Sequence, residues 1–118
     1  MTELLVTLVV VPRERFSYAQ TSLESLYEHT KIPFKLVYVD GNSPPKLKRY
    51  LEEQSRLKGF QLIRTEQYLY PNQARNLGLQ LVDTRYLVFV DNDVVVSPGW
   101  LSALVNCAEE TDAAVVGP

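Results

Sequence analysis

The chain has 118 residues, enough for one domain and too few for two. Hydrophobic residues make up 46% and charged residues 22%, with twelve Lys/Arg against fourteen Asp/Glu for a net charge of −2. The composition supports a globular core, and the missing basic surplus argues against a nucleic-acid partner. A single cysteine, Cys107, excludes an internal disulfide framework, and a single histidine, His29, excludes a two-histidine metal site. The longest apolar run is too short to cross a bilayer, and the acidic start does not read as a signal peptide, so a reduced, cytoplasmic protein is expected.

Leu4 to Val11 is a continuous β-branched run ended by Pro12, as in a strand buried on both faces. Ser17 with Gln20 reads as a capping box opening a helix with Ala19, Leu23, Leu26 and Tyr27 inward. Phe34 to Val39 reads as a second strand, and Asp40-Gly41-Asn42 as its loop. Ser43 is expected to cap the next helix, with Pro44 at its first position, an apolar stripe of Leu47, Tyr50, Leu51 and Leu57, and Gly59 at its end. Phe60 to Arg64 is a short third strand. Asn72 is expected to cap a third helix with Ala74, Leu77, Gly78 and Leu81 on its inner face. Tyr86 to Val90 is a fourth strand running into Asp91-Asn92-Asp93. Ser97-Pro98 opens a fourth helix with Leu101, Leu104, Val105 and Ala108 inward, and Ala113 to Val116 starts a fifth strand.

Strand and helix alternate throughout, which predicts a single α/β domain over 1–118. Its architecture is a Rossmann-like, mostly parallel sheet with helices on both faces. A buried strand with nothing after it reads as an interrupted domain, whose exposed edge invites self-association.

Ligands of open α/β sheets bind outside the carboxyl ends of the strands. The loops there bring Pro12, Arg13 and Glu14, then Asp40, then Asn72 and Arg75, then Asp91, Asn92 and Asp93 to one edge. Asp91 and Asp93, two residues apart in extended chain, would point the same way and either share a hard divalent cation or simply end the strand in a turn. Asp40 either accepts from a base or a ribose or builds an Asp-Gly turn. Arg75, expected in the first turn of the third helix, suits phosphate oxygens or a surface ion pair. Gly78 is read as a close helix–sheet contact. Cys107 is read as a buried hydrophobe, and His29 as a favourable cation in the last turn of the first helix. Trp100 packs under the Asp loop or covers its own helix start, and Tyr68 and Tyr70 flank a ligand or cover their loop. Lys46, Lys48 and Arg49 read as a solvated helix face.

Four segments in order resemble the amino-terminal half of a family 2 glycosyltransferase of the GT-A fold. They are Val9-Val10-Val11-Pro12, Val37 to Ser43, Asn72-Gln73-Ala74-Arg75-Asn76-Leu77-Gly78, and Leu87 to Asp93 with its D-x-D ending. The resemblance implies transfer of a sugar from a nucleotide diphosphate sugar to an acceptor (saccharide, lipid-linked or protein), with inversion. It implies that Pro12 to Glu14 lie along the base and ribose, that Asp40 holds the base, and that Arg75 lies near base or phosphates. Asp91 would face ribose or metal, and Asp93 would hold the Mn²⁺ or Mg²⁺ that bridges the diphosphate. Gly41 departs from the second acid usual in that loop. The family's catalytic base lies well beyond the D-x-D, so the resemblance places it past Pro118, and Glu109, Glu110 and Asp112 read as surface. A peripheral membrane location of a longer form fits the family. The competing reading is a non-catalytic nucleotide- or cation-binding module that assembles with a partner. A receiver-like site would want paired acids after the first strand, where Pro12-Arg13-Glu14 stands instead.

Overall fold

A computed structural model describes residues 6–12, 16–67 and 69–111, with backbone only at 71 and 108–111. Four strands, β1 (Val6–Val11), β2 (Phe34–Gly41), β3 (Gln61–Thr65) and β4 (Tyr86–Asp91), form one sheet in the order β3-β2-β1-β4. Every pairing is parallel. Helices α1 (Ala19–His29), α2 (Pro45–Lys58), α3 (Pro71–Leu79) and α4 (Trp100–Thr111) connect or follow them. The expected α/β class and parallel sheet are present. The expected fifth strand and the end of the chain lie outside the described residues.

The period of two along each strand sorts the core into two layers. Val6, Leu8 and Val10 of β1, Leu36 and Tyr38 of β2, and Val88 and Val90 of β4 join Leu23 and Leu26 of α1, Leu51 of α2 and Leu101 of α4. Val9, Val11, Val37, Val39 and Leu87 face the other way and meet Ala74 of α3, with Leu77 and Leu81 packed against them. All six residues of β1 are buried, as a central strand covered on both faces requires. Gly78 sits where a Cβ would come within 2.3 Å of Val9 Cγ1, so α3 lies against β1 because position 78 has no side chain.

Several helix starts differ from the sequence expectation. Ser17 does not cap α1; Phe16–Tyr18 form a 3-10 turn, and Gln20 Nε2 donates instead to Glu24 Oε1 at 3.1 Å. Pro44, not Ser43, is the N-cap of α2, because Ser43 is drawn inward to Asp40. Tyr70, not Asn72, is the N-cap of α3; Pro71 takes the first helical position, and Gln73 Oε1 accepts from Tyr70 N at 3.0 Å. Gly59 ends α2 as expected, in the left-handed conformation at φ 77, with its N–H donating to Ser55 O. Leu57 is 71% exposed and does not belong to the apolar stripe of α2.

The start of α4 moves from Ser97-Pro98 to Trp100. The segment after β4 runs along α1 before the helix begins. Ser22 Oγ donates to Val94 O, Val96 N donates to Ser25 Oγ at 3.1 Å, and Trp100 Nε1 donates to Thr30 Oγ1 at 2.9 Å. Partners 22, 25 and 30 advance along α1 as 94, 96 and 100 advance along the segment. Trp100 therefore ends beside the C-cap of α1, not under the Asp loop. Cys107 is exposed, contrary to the expected buried hydrophobe, because Leu101, Leu104 and Val105 face the core and position 107 lies round the helix from that stripe. No helix among the described residues is long and apolar enough to cross a membrane.

Candidate functional site

The carboxyl edge of the sheet carries the candidate residues in two groups. The first lies where β2 and β3 end. Asp40 and Arg64 are direct Cα partners in the β2–β3 register. Asp40 is only 2% exposed. Its Oδ2 accepts from Ser43 Oγ at 2.7 Å and from Arg64 Nη1, and its Oδ1 accepts from Ser43 N at 3.2 Å. Arg64 also donates from Nη1 to Ser43 Oγ at 3.1 Å and from Nη2 to Ser43 O at 3.3 Å. The exit loop turns through Asn42 at φ 64, in the left-handed region that Asn tolerates better than most residues. Adjacent Gly41 is close-packed, since a Cβ there would stand 3.1 Å from Leu69 N.

Sequence reasoning missed Arg64. Its signal was a cation at the apolar phase of a strand. Leu62 packs into the same layer as Tyr38, so position 64 repeats that phase beside Asp40.

Tyr38 lies two residues before Asp40 on the same face of β2. Its hydroxyl is buried without a hydrogen-bond partner among the described residues. Burial, then the charge of Asp40, then Tyr50 push its pKa well above the usual phenol range. Tyr50 of α2 donates from its hydroxyl to Glu24 Oε1 at 3.3 Å; its pKa is raised to about 12 by burial, the Glu24 charge and that hydrogen bond.

The second group lies where β1 and β4 end. Pro12 is buried at the end of β1, and Arg13 and Glu14 lie outside the described residues. Val11 and Asp91 are register partners, and Asn92 N donates to Val11 O at 3.0 Å, which ties the two strand ends together. Val94 N donates to Asp91 O at 3.1 Å, so Asp91 to Val94 is a tight turn. The extended geometry expected between Asp91 and Asp93 is therefore replaced by a turn, with the two acids at its first and third positions. Asn92 is 2% exposed, whereas Asp91 and Asp93 are half-buried.

Arg75 approaches this second group from α3. It stands in the second turn of the helix, not the first, because α3 begins at Pro71. Its guanidinium lies 5.6 Å from the centroid of Phe89, which precedes Asp91 by two residues and so shares its face of β4. Asn72 is exposed at the second position of α3, and Tyr70 is 68% exposed. Tyr68 lies outside the described residues.

The two groups share an edge but use opposite faces of the sheet, Asp40 on the α1–α2 side and Asp91 on the α3 side. A groove of about 590 Å³ opens between the starts of α1 and α2, lined by Phe16, Gln20, Pro44, Leu47 and Tyr50 among others. A second, of about 410 Å³, lies at the opposite edge among Tyr27, Phe34 and Phe60. Among the described residues no group of three or more His, Cys, Asp or Glu could hold a metal ion. Asp91 and Asp93 alone supply two carboxylates, which suits a hard cation only if a ligand completes the shell with phosphate oxygen and water.

The family model described as Glycosyl transferase family 2 matches residues 7–118. No curated protein matches the sequence. Among solved structures, S. aureus TarS 1-349 superposes with a TM-score of 0.72 at 22% identity, over 91% of this chain and 33% of that one. TarS 1-349 in complex with UDP-GlcNAc gives a TM-score of 0.73 at 22% identity, covering 91% of this chain and 32% of that one. The same protein in complex with UDP gives 0.72 at the same identity and coverage. At this identity the likeness establishes the fold, and the chain spans about a third of the length of those structures.

Proposed function

The chain belongs to glycosyltransferase family 2, and from that premise we propose that it forms the nucleotide-sugar donor site of an enzyme that transfers a sugar to an acceptor with inversion. The observation that carries the reading is the half-exposed Asp91–Asp93 turn at the carboxyl edge, with Arg75 over Phe89 beside it on the same face. The corner offers a guanidinium that suits a phosphate and two partly exposed carboxylates that suit a divalent cation. In this reading Asp93, with Asp91, holds a Mn²⁺ or Mg²⁺ ion. Bound there, the ion would neutralise the diphosphate and stabilise it as a leaving group. Arg75 takes phosphate or base, Asn72 offers its amide at the start of α3, and Asn92 fixes the turn. Pro12 with Arg13 and Glu14 lines the base and ribose, and Asp40 meets the base. In this reading these residues bind the donor, and none of them is assigned the deprotonation of the acceptor.

The complexes of TarS with UDP and UDP-GlcNAc make uridine nucleotides the first probes. Calorimetric titration with UDP, GDP and dTDP, each with and without Mn²⁺, tests the proposal. Binding of at least one, strengthened by Mn²⁺ and lost in Asp93→Ala, is expected. A folded wild-type chain that binds none of them overturns it.

A further inference from the structure

We infer that Ser22 of α1 is a positioning residue for the Asp91–Asp93 turn, clamping the residue after it so that the turn is shaped before an ion arrives. The inference rests on the donor-site reading above. Among the residues that α1 buries, Ala19, Leu23 and Leu26 are the apolar core expected of such a face. The others are Ser22 and Ser25, 1% and 4% exposed. A buried hydroxyl is costly unless it is hydrogen-bonded. Both of these reach the segment that leaves the turn, and their spacing of three sets them on one helix face. Ser22 Oγ donates to Val94 O. Ser25 Oγ accepts from Val96 N at 3.1 Å and donates to Ser22 O at 2.7 Å.

The turn is thereby held on both sides of Asp93. Asn92 N donates to Val11 O at 3.0 Å, which ties the residue before it to β1. Val94 N donates to Asp91 O at 3.1 Å while Val94 O accepts from Ser22, so the residue after it is tied to β4 and to α1 at once. The backbone that aims the Asp93 carboxylate is therefore set by two strands and a helix together. A small divalent cation demands near-ideal ligand geometry, and the groups that orient its ligands govern how tightly it binds. Two of these ties run from backbone to backbone; the Ser22 bond comes from a side chain and can be removed by substitution. Thr30 fastens the same segment further on, where its Oγ1 accepts from Trp100 Nε1 at 2.9 Å. That bond lies beyond the turn and supplies the control for a purely structural role.

The test titrates the chain with the best bound of UDP, GDP and dTDP, with and without Mn²⁺. The ratio of the two dissociation constants measures the ion's contribution. Ser22→Ala is expected to cut that ratio about three- to tenfold, the weight of one hydrogen bond, with nucleotide binding in the absence of Mn²⁺ unchanged. Ser22→Thr keeps a hydroxyl and is expected to restore most of the ratio. Ser25→Ala frees Val96 N and is expected to lower it by less than Ser22→Ala. Thr30→Val removes a bond of the same kind and is expected to leave the ratio at the wild-type value. In the ligand-free chain, hydrogen exchange at the Val94 amide should quicken in Ser22→Ala and not in Thr30→Val. A folded Ser22→Ala with the wild-type ratio, or with Val94 exchanging at the wild-type rate, overturns the inference. So does an equal fall of the ratio in Thr30→Val, or an equal loss of binding with and without Mn²⁺, either of which would make the hydroxyls plain fasteners. If Ser22→Ala fails to fold, Ser25→Ala against Thr30→Val carries the same readouts, and a wild-type ratio in Ser25→Ala then overturns the inference. A wild type that responds to Mn²⁺ keeps the donor reading whatever the serine variants do; one that does not respond overturns both.

Discussion

Asp40 and Asp91 end neighbouring stretches of the same sheet edge, yet they are handled oppositely. Asp40 is buried, faces Arg64 across the register and has three hydrogen bonds in hand. Asp91 and Asp93 are half-exposed around a turn closed by Val94 N donating to Asp91 O and tied to β1 by Asn92 N donating to Val11 O. The difference is one of work. A buried charge is tolerated only when it is paired and hydrogen-bonded, and at the β2–β3 end Ser43 and Arg64 meet that need. The β1–β4 end leaves its acids partly exposed, as the proposed ion and phosphate site requires. One edge thus holds a rigid half and a receptive half.

Breaking the rigid half has the largest expected effect. Arg64→Met leaves the Asp40 carboxylate buried without its counter-ion and should cost about 3–5 kcal/mol of stability, read by denaturant unfolding. A loss below about 1 kcal/mol would mean that water or rearrangement replaces the ion pair. Gly78→Ala tests what sets the receptive half in place. Its Cβ would strike Val9 Cγ1, so either Val9 or α3 must shift, and a shift of α3 would carry Arg75 with it. A cost of about 1–3 kcal/mol is expected, together with weaker nucleotide binding.

Tyr38→Phe is smaller. It removes a buried hydroxyl that has no partner, so stability at pH 7 should change by less than about 1 kcal/mol, and a gain is the favoured direction. Its signature lies in alkali. Tyr38, Tyr27 and Tyr50 are all raised above the ordinary phenol value of 10, Tyr27 by burial to about 12. The folded state therefore holds these protons more tightly than the unfolded chain. Stability should be full below pH 10 and fall as the pH rises through the folded values. Tyr38→Phe should make that fall shallower; an unchanged slope in urea unfolding would assign it to other groups. Smallest of all in stability is Asp93→Ala, expected within about 0.5 kcal/mol of wild type because its carboxylate is half-exposed. The same variant should lose Mn²⁺-dependent binding, which separates function from folding in the receptive half.

Much of this was legible in the sequence because strands and helices here obey one-dimensional rules. The β-branched run ending at Val11, the apolar runs of β2 and β4, Gly59 at the end of α2 and Gly78 against the sheet follow from local chemistry. The order of loops on the carboxyl edge follows from the alternation alone. What escaped depends on partners far along the chain. Ser43 reads as a cap until its hydroxyl donates to Asp40 and Arg64, 21 residues away, donates to that hydroxyl oxygen. Arg64 reads as a strand residue until the β2–β3 register sets it opposite Asp40. The late start of α4 comes from Ser22, Ser25 and Thr30, which hold the preceding segment against α1. At Tyr70-Pro71 the error was local. Proline's preference for the first helical position outweighed the capping strength of Asn72 and moved Arg75 two positions further into the helix.

The central claim is that the Asp91–Asp93 turn, beside Arg75, is where a metal-bound nucleotide diphosphate sits. Paramagnetic broadening of amide resonances tests this most directly, by adding substoichiometric Mn²⁺ to the isotope-labelled chain saturated with UDP. Selective broadening of Asp91, Asn92, Asp93 and the neighbouring Arg75 amide, with Lys58 to Gln61 at the opposite edge left sharp, is the predicted result. Broadening centred on that opposite edge, or none at the Asp turn while UDP is bound, would contradict it.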